Sequence, residues 1–234
     1  MRIFGHRGAP GFPRHGENTV YSFREALAKG AEGLEFDVRR CGDGTIVVVH
    51  DHTVDRTTNG TGSVAGFTYE ELRAFDAGYG EPIPRLSDVF ALFGSRCVLN
   101  VELKEHGLAD DVRNLVVEAR CFRNVLVSAF DTDDNGPHSS SSWAELQSLS
   151  PEIPIALLAS AAKISRLGIR SFIDHAIRLG ATAIHPQRTA PIEEILPMAR
   201  AAGLAVHVWT VNEPEEIRRF RSMGVDAIFT DYPA

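Results

Sequence analysis

The sequence predicts an α/β fold, a (β/α)8 TIM barrel with a hairpin and loop inserted after the second barrel strand. Short apolar, β-branched runs recur eight times in 234 residues, at 2–5, 33–38, 98–103, 125–130, 153–158, 181–185, 204–210 and 225–230, as buried parallel strands do. Segments of helical periodicity separate them, so strand and helix alternate throughout. Polar residues interrupt the runs mainly at their C-terminal ends, at His6, Glu35, Asp37, Glu102, Lys104, Ser128, His185, Trp209 and Asp231. That is the face on which such barrels carry their chemistry.

The first run leads into Gly5-His6-Arg7-Gly8, and the helical segment 18–29 ends at Lys29-Gly30, a C-terminal stop signal. After the second run, Cys41-Gly42-Asp43-Gly44 carries an Asp-Gly hairpin signal and introduces a ninth apolar stretch, Thr45-Ile46-Val47-Val48-Val49. The chain from Asp51 to Arg85 is longer than a structural connection requires. With its tract Asp55-Arg56-Thr57-Thr58-Asn59-Gly60-Thr61-Gly62 it reads as a lid or substrate-facing insertion, so the inserted region spans about 39–85. Helices follow at 87–93, 108–119, 142–149, 169–179, 192–201 and 214–222, with Leu179-Gly180 and Pro214 as boundary signals. The polar stretch 131–142 is expected to be mobile, and no clear helix follows the last strand. A doubly wound open sheet is the alternative architecture, but Gly5-His6-Arg7-Gly8 lacks the glycine spacing of a dinucleotide or P-loop turn.

Length and composition suit one barrel domain over residues 1–234: 44% hydrophobic and 24% charged residues describe an ordinary globular chain. A formal charge of −7 argues against nucleic acid as a partner. Three cysteines without metal-type spacing point to a reducing, cytoplasmic setting. No apolar run approaches the roughly 20 residues of a membrane span, and self-association is left open.

Glu35 and Asp37 stand two apart on a strand and therefore share a face, opposite Leu34, Phe36 and Val38. Asn100-Val101-Glu102-Leu103-Lys104 repeats the arrangement on the next barrel strand. Three acids and one ammonium leave excess negative charge in a confined interior. Either the acids protonate or a hard divalent cation, Mg²⁺ or Ca²⁺, sits among them, and the cation is the preferred reading. His6 ends the first strand and His50 ends the hairpin arm, so two imidazoles reach the same rim, as proton transfer in phosphodiester hydrolysis requires. Arg7 offers a planar fork for phosphate oxygens, and Lys104 offers a second positive group.

His6-Arg7-Gly8-Ala9, Glu17-Asn18-Thr19, Glu35-Phe36-Asp37, Val49-His50-Asp51, the tract Asp55 to Gly62, Glu102-Leu103-Lys104 and Trp209-Thr210-Val211-Asn212 together resemble the ordered motifs of glycerophosphodiester phosphodiesterases. The resemblance implies a barrel enzyme of lipid and glycerol metabolism that hydrolyses small glycerophosphodiesters to sn-glycerol 3-phosphate and an alcohol. It implies metal on Glu35, Asp37 and Glu102, acid–base catalysis by His6 and His50, and phosphate binding by Arg7 and Lys104. It further implies that Glu17 supports the first loop through hydrogen bonding and that Trp209 lines the substrate pocket. From the residues alone, Trp209 reads equally as a core aromatic and Glu17 as a helix N-terminal acid.

Two other functions compete. A lysophospholipase D or sphingomyelinase D-like activity on lipid substrates would need an apolar rim, for which the insertion offers Phe67, Tyr69, Phe75 and Tyr79. A non-catalytic barrel that binds phosphodiesters would have no use for both histidines. The sequence leaves open whether water or the glycerol 2-hydroxyl attacks phosphorus, and which histidine is the acid.

Overall fold

The architecture follows from alternation along the strands, seen in a computed structural model that describes residues 1–13, 16–130, 143–149 and 151–233. In chain order the elements begin β1 (Arg2–His6), α1 (Val20–Ala28), β2 (Gly33–Arg40), β3 (Ile46–Val48), α2 (Tyr69–Leu72) and α3 (Leu86–Phe93). They continue with β4 (Val98–Leu103), α4 (Ala109–Ala119), β5 (Val125–Phe130), α5 (Trp143–Leu146), β6 (Ile155–Ala159), α6 (Ala161–Leu167) and α7 (Ile169–Arg178). The chain ends with β7 (Ala183–Pro186), α8 (Ile192–Ala201), β8 (Ala205–Val208), α9 (Pro214–Met223) and β9 (Ala227–Thr230).

Eight parallel strands close into a ring in the order β1-β9-β8-β7-β6-β5-β4-β2, with β1 pairing β2. Closure is made by Arg2↔Ala227 to Gly5↔Thr230 on one side of β1 and Phe4↔Gly33 to His6↔Glu35 on the other. The open-sheet alternative is thereby excluded. The main core lies between ring and helices: Leu34, Phe36, Val38, Leu99, Val101 and Leu103 pack outward against Phe23, Val89, Phe90, Phe93 and Val112. Phe23 contacts both Phe36 and Phe93, with ring centroids 5.5 and 5.9 Å apart. Because the outward face takes the apolar residues, the inward face of β2 and β4 is left to Glu35, Asp37, Asn100, Glu102 and Lys104.

β2 runs past the end of β1, and β3 covers this extension as an antiparallel partner, Val38↔Val48 to Arg40↔Ile46. The insertion has a small core of its own, made of Cys41, Val47, Val49, Val54, Val64, Leu72, Ala77 and Ile83. Phe67, Tyr69 and Phe75 pack against that core, so these aromatics are used in packing the insertion. The insertion, expected as a lid or substrate-facing element, is a folded module attached through β3, and His50 at its inner edge reaches the pocket.

Two helices escaped the periodicity. α2 is a single turn with a Thr68–Glu71 capping box, and α6 is a two-turn helix joined to α7 through Gly168, which is at φ 79°. The stretch 131–142, expected to be mobile, lies outside the described residues.

Candidate active site

Strand register sets the centre of the site. Asp37 pairs with Glu102 across β2 and β4, and Glu35 pairs with His6 across β2 and β1, so inward-facing side chains meet at the roughly 5 Å spacing of neighbouring strands. Glu35, Asp37 and Glu102 are all buried, and each offers a carboxylate oxygen within 4.8 Å of the other two. Lys104 Nζ donates to Glu102 Oε1 at 2.6 Å and lies 3.7 Å from Asp37 Oδ1. Arg7 Nε approaches Asp37 Oδ2 at 3.3 Å.

These charges are unevenly balanced. Burial opposes ionisation of Asp37, but Arg7, His50 and Lys104, with a 3.0 Å hydrogen bond from Asn18 Nδ2, hold it below the usual carboxylate range. Burial pushes Glu35 well above that range, and its neighbours Asp37 and Glu102 push in the same direction. Glu35 Oε1 is buried without a hydrogen-bond partner. Three clustered carboxylates with an unsatisfied oxygen and no soft donor suit a hard, oxygen-seeking cation.

The β1–α1 turn is wired to this cluster. Arg7 takes a left-handed conformation at φ 54°, followed by Gly8 at φ 91°, which turns the Arg7 N–H onto Glu35 Oε2 at 3.0 Å. Asn18, also left-handed at φ 59°, donates its backbone N–H to Arg7 O at 2.9 Å. Ser22 Oγ accepts from Ala9 N at 2.7 Å, and Thr19 caps α1 by accepting from Ser22 N. Arg7 Nη1 donates to Glu17 Oε1 at 3.0 Å.

Each rim histidine is fixed at Nδ1 by a carboxylate. His6 Nδ1 lies 2.7 Å from Asp231 Oδ1, and His50 Nδ1 lies 2.6 Å from Asp51 Oδ1. A carboxylate only accepts, so Nδ1 carries the hydrogen and Nε2 is left for the pocket. His6 Nε2 is 3.8 Å from Glu35 Oε2, and His50 Nε2 accepts from Lys104 Nζ at 3.1 Å. Burial lowers the pKa of His50, with Lys104 and Arg7 adding to the shift against Asp37 and Asp51. Burial resists ionisation of Asp231, yet the hydrogen bonds from His6 and Asn212 hold it below its ordinary value.

A pocket of about 140 Å³ opens above these groups. His6, Arg7, Glu35, His50, Glu102 and Lys104 make its charged half, and Phe130, Leu158, Trp209 and Phe229 make its apolar half. Trp209 is held in place by donating Nε1–H to His185 O at 2.8 Å and by an edge contact with Phe130 at 5.3 Å. Phe67, Tyr69, Phe75 and Tyr79 do not line this pocket.

Seven of the nine residues singled out in the sequence therefore line one pocket. Asp37 lies against Arg7 and Lys104, and Glu17 joins through Arg7. Sequence reasoning assigned no role to Asp231, Asp51, Arg56, Asn18 or Asn100. Asp51, Arg56 and Asn18 stood inside quoted motifs, which was the available signal, and Asp231 stood among the polar strand ends.

Among the described residues no helix is long and apolar enough to cross a membrane. A family model described as the glycerophosphoryl diester phosphodiesterase family matches residues 6–234. The chain is similar to a glycerophosphodiester phosphodiesterase of Caldanaerobacter subterraneus subsp. tengcongensis, 34% identical over 99% of this chain and 94% of the relative. It resembles the crystal structure of a glycerophosphodiester phosphodiesterase from Agrobacterium tumefaciens (TM-score 0.82, 28% identity, 100% and 97% of the two chains). It also resembles an Oleispira antarctica phosphodiesterase in complex with the product sn-glycerol-3-phosphate (TM-score 0.78, 28% identity, 100% and 94%). With relatives aligned over almost their whole length and a family model matched from residue 6 onward, the chain belongs to the glycerophosphoryl diester phosphodiesterase family.

Proposed function

We propose that residues 1–234 form one catalytic domain that hydrolyses glycerophosphodiesters to sn-glycerol 3-phosphate and an alcohol, in a cytoplasmic setting. The observation that carries the reading is a cluster of three buried carboxylates, two of which line one pocket together with two carboxylate-anchored imidazoles. Glu35, Asp37 and Glu102 would hold one divalent cation, Mg²⁺ or Ca²⁺. When bound there, the cation would supply Lewis-acid polarisation of a phosphoryl oxygen.

Arg7 and Lys104 bind the phosphodiester's other oxygens and carry part of the charge that grows in the transition state. One of His6 and His50 takes a proton at Nε2 from the attacking hydroxyl. The other gives a proton from Nε2 to the departing alkoxide. Asp231 and Asp51 hold the two rings so that Nε2 faces the substrate, and Arg7 and Lys104 keep the buried Asp37 ionised. Trp209, Phe130 and Phe229 form the wall against which the carbon skeleton of the substrate lies.

The test is release of sn-glycerol 3-phosphate from glycerophosphocholine, followed by ³¹P NMR, with lysophosphatidylcholine as the competing substrate. Turnover of the deacylated compound supports the reading. Exclusive cleavage of the lipid, or binding without monoester release, defeats it.

A further inference from the structure

The tract Asp55 to Gly62 is built to place one side chain. Thr58 Oγ1 donates to Val54 O at 2.8 Å and accepts from Gly60 N at 2.9 Å. Asp55 Oδ2 accepts from Gly62 N at 3.0 Å, and Asn59 Oδ1 accepts from Asp76 N at 2.9 Å. Gly60 is required by a close approach, because a Cβ there would meet the Phe75 ring at 2.8 Å. The tract thus closes on itself through its own polar groups and projects Arg56 over the rim.

Arg56 makes four hydrogen bonds to two different segments. Nη1 and Nη2 donate to Glu17 Oε2 and Oε1, both at 2.8 Å. Nε and Nη2 donate to Asp51 Oδ2 and Oδ1 at 2.7 and 3.0 Å. Glu17 is the carboxylate that holds Arg7, and Asp51 is the carboxylate that orients His50. The chain of contacts therefore runs Arg7, Glu17, Arg56, Asp51, His50, from the β1–α1 turn to the inserted module.

We propose that Arg56 is a positioning residue that sets the spacing between the phosphate-holding Arg7 and the proton-transferring His50, an inference that rests on the function proposed above. Exposed ion pairs contribute little to stability, with doubly bidentate networks the exception. Arg56 is about half exposed and forms such a network with two mostly covered carboxylates, so its fork adds to stability as well as to orientation, and kinetics well below the Tm separates the two. A guanidinium can grip two carboxylates bidentately in one plane, whereas an ammonium offers its donors from a single atom and cannot form that two-bond fork with either.

The experiment compares Arg56→Met and Arg56→Lys with the wild type on glycerophosphocholine. Arg56→Met, assayed well below its own Tm, is expected to lose about 10- to 100-fold in kcat with KM within about threefold. Arg56→Lys is expected to recover less than about a third of that loss. Combined with Glu17→Gln, Arg56→Met should cost less than the product of the two separate effects. A wild-type kcat in either Arg56 variant, full multiplicativity with Glu17→Gln, or a deficit that vanishes well below the variant's Tm would overturn the proposal.

Wild-type turnover measured alongside tests the underlying function. If it is absent, ¹⁵N NMR of His50 still decides: one Nδ1–H tautomer in the wild type and a tautomer mixture in Arg56→Met support the clamp, and unchanged His50 shifts overturn it.

Discussion

His6 and Asp231 lie 225 residues apart in sequence, yet Nδ1 of the first is 2.7 Å from Oδ1 of the second. The contact exists because the ring closes: β1 and β9 are neighbours, and each contributes the residue just at or beyond its C-terminal end. Asp231 is itself held by Asn212, whose Nδ2 donates to Asp231 Oδ2 at 2.6 Å and whose Oδ1 accepts from Asp231 N at 2.9 Å.

Asp231→Asn should therefore lower kcat by about 10²-fold or more with little change in the folded structure, because an amide can present its N–H₂ to His6 and favour the wrong tautomer. Steady-state kinetics beside near-UV circular dichroism checks this. Near wild-type kcat would remove Asp231 from the mechanism.

Removal of either imidazole should cost about 10²- to 10⁴-fold in kcat, the usual worth of general acid–base assistance. His6→Ala and His50→Ala are compared with the wild type under saturating substrate. Turnover within tenfold of wild type in one variant would leave the proton transfer to the other histidine alone.

Chelation by EDTA should abolish activity and added Mg²⁺ or Ca²⁺ should restore it, while a cation at about 100 times its Kd should stabilise the fold by about 2.7 kcal/mol. Glu35→Gln should lose that stabilisation. Glu35 has a raised folded pKa, so without metal the wild type loses stability as pH rises through that pKa. The metal-free Glu35→Gln protein should then be the more stable of the two at alkaline pH. Calorimetric melts of both proteins, with and without cation, read the two effects separately.

Inside the barrel, Nε2 of the pocket-lining His185 lies 3.0 Å from His207 Nδ1. Burial lowers the pKa of His207 to about 4, against an ordinary value near 6.5, with Arg2 adding to the shift and Asp226 opposing it. The unfolded chain then binds more protons between these values, so stability is full above about pH 6.5 and falls as pH drops toward 4. The shift corresponds to about 3 kcal/mol. Urea unfolding at pH 7 and pH 4.5 should show a smaller acid loss in His207→Gln than in the wild type, and equal losses would refute the assignment.

Local spacing made much of the site readable before any coordinates. Glu35 with Asp37, and Glu102 with Lys104, stand two apart on strands whose intervening residues are apolar, so period two alone brings them to one face. His6, Arg7 and His50 were readable because they sit where an apolar run ends. Asp231 and Arg56 were not, because their roles depend on partners that only ring closure and the docking of the insertion bring near. α6 was missed for a local reason: Ala161–Leu167 is two turns long, too short for a helical period to stand out beside the pattern of α7. The insertion's own core was hidden because its members, such as Cys41, Val54, Leu72 and Ile83, are scattered singly through polar sequence.

That small core has a thermal consequence. His50 rides on a cluster of eight buried apolar residues separate from the much larger one beneath the helices, and small clusters open at lower free-energy cost than large ones. On heating, the inserted module should detach first, carrying one imidazole away while the ring still holds its three acids together. Inactivation then runs ahead of the loss of ellipticity, and what survives the interval is an inert cylinder that recovers catalysis on cooling.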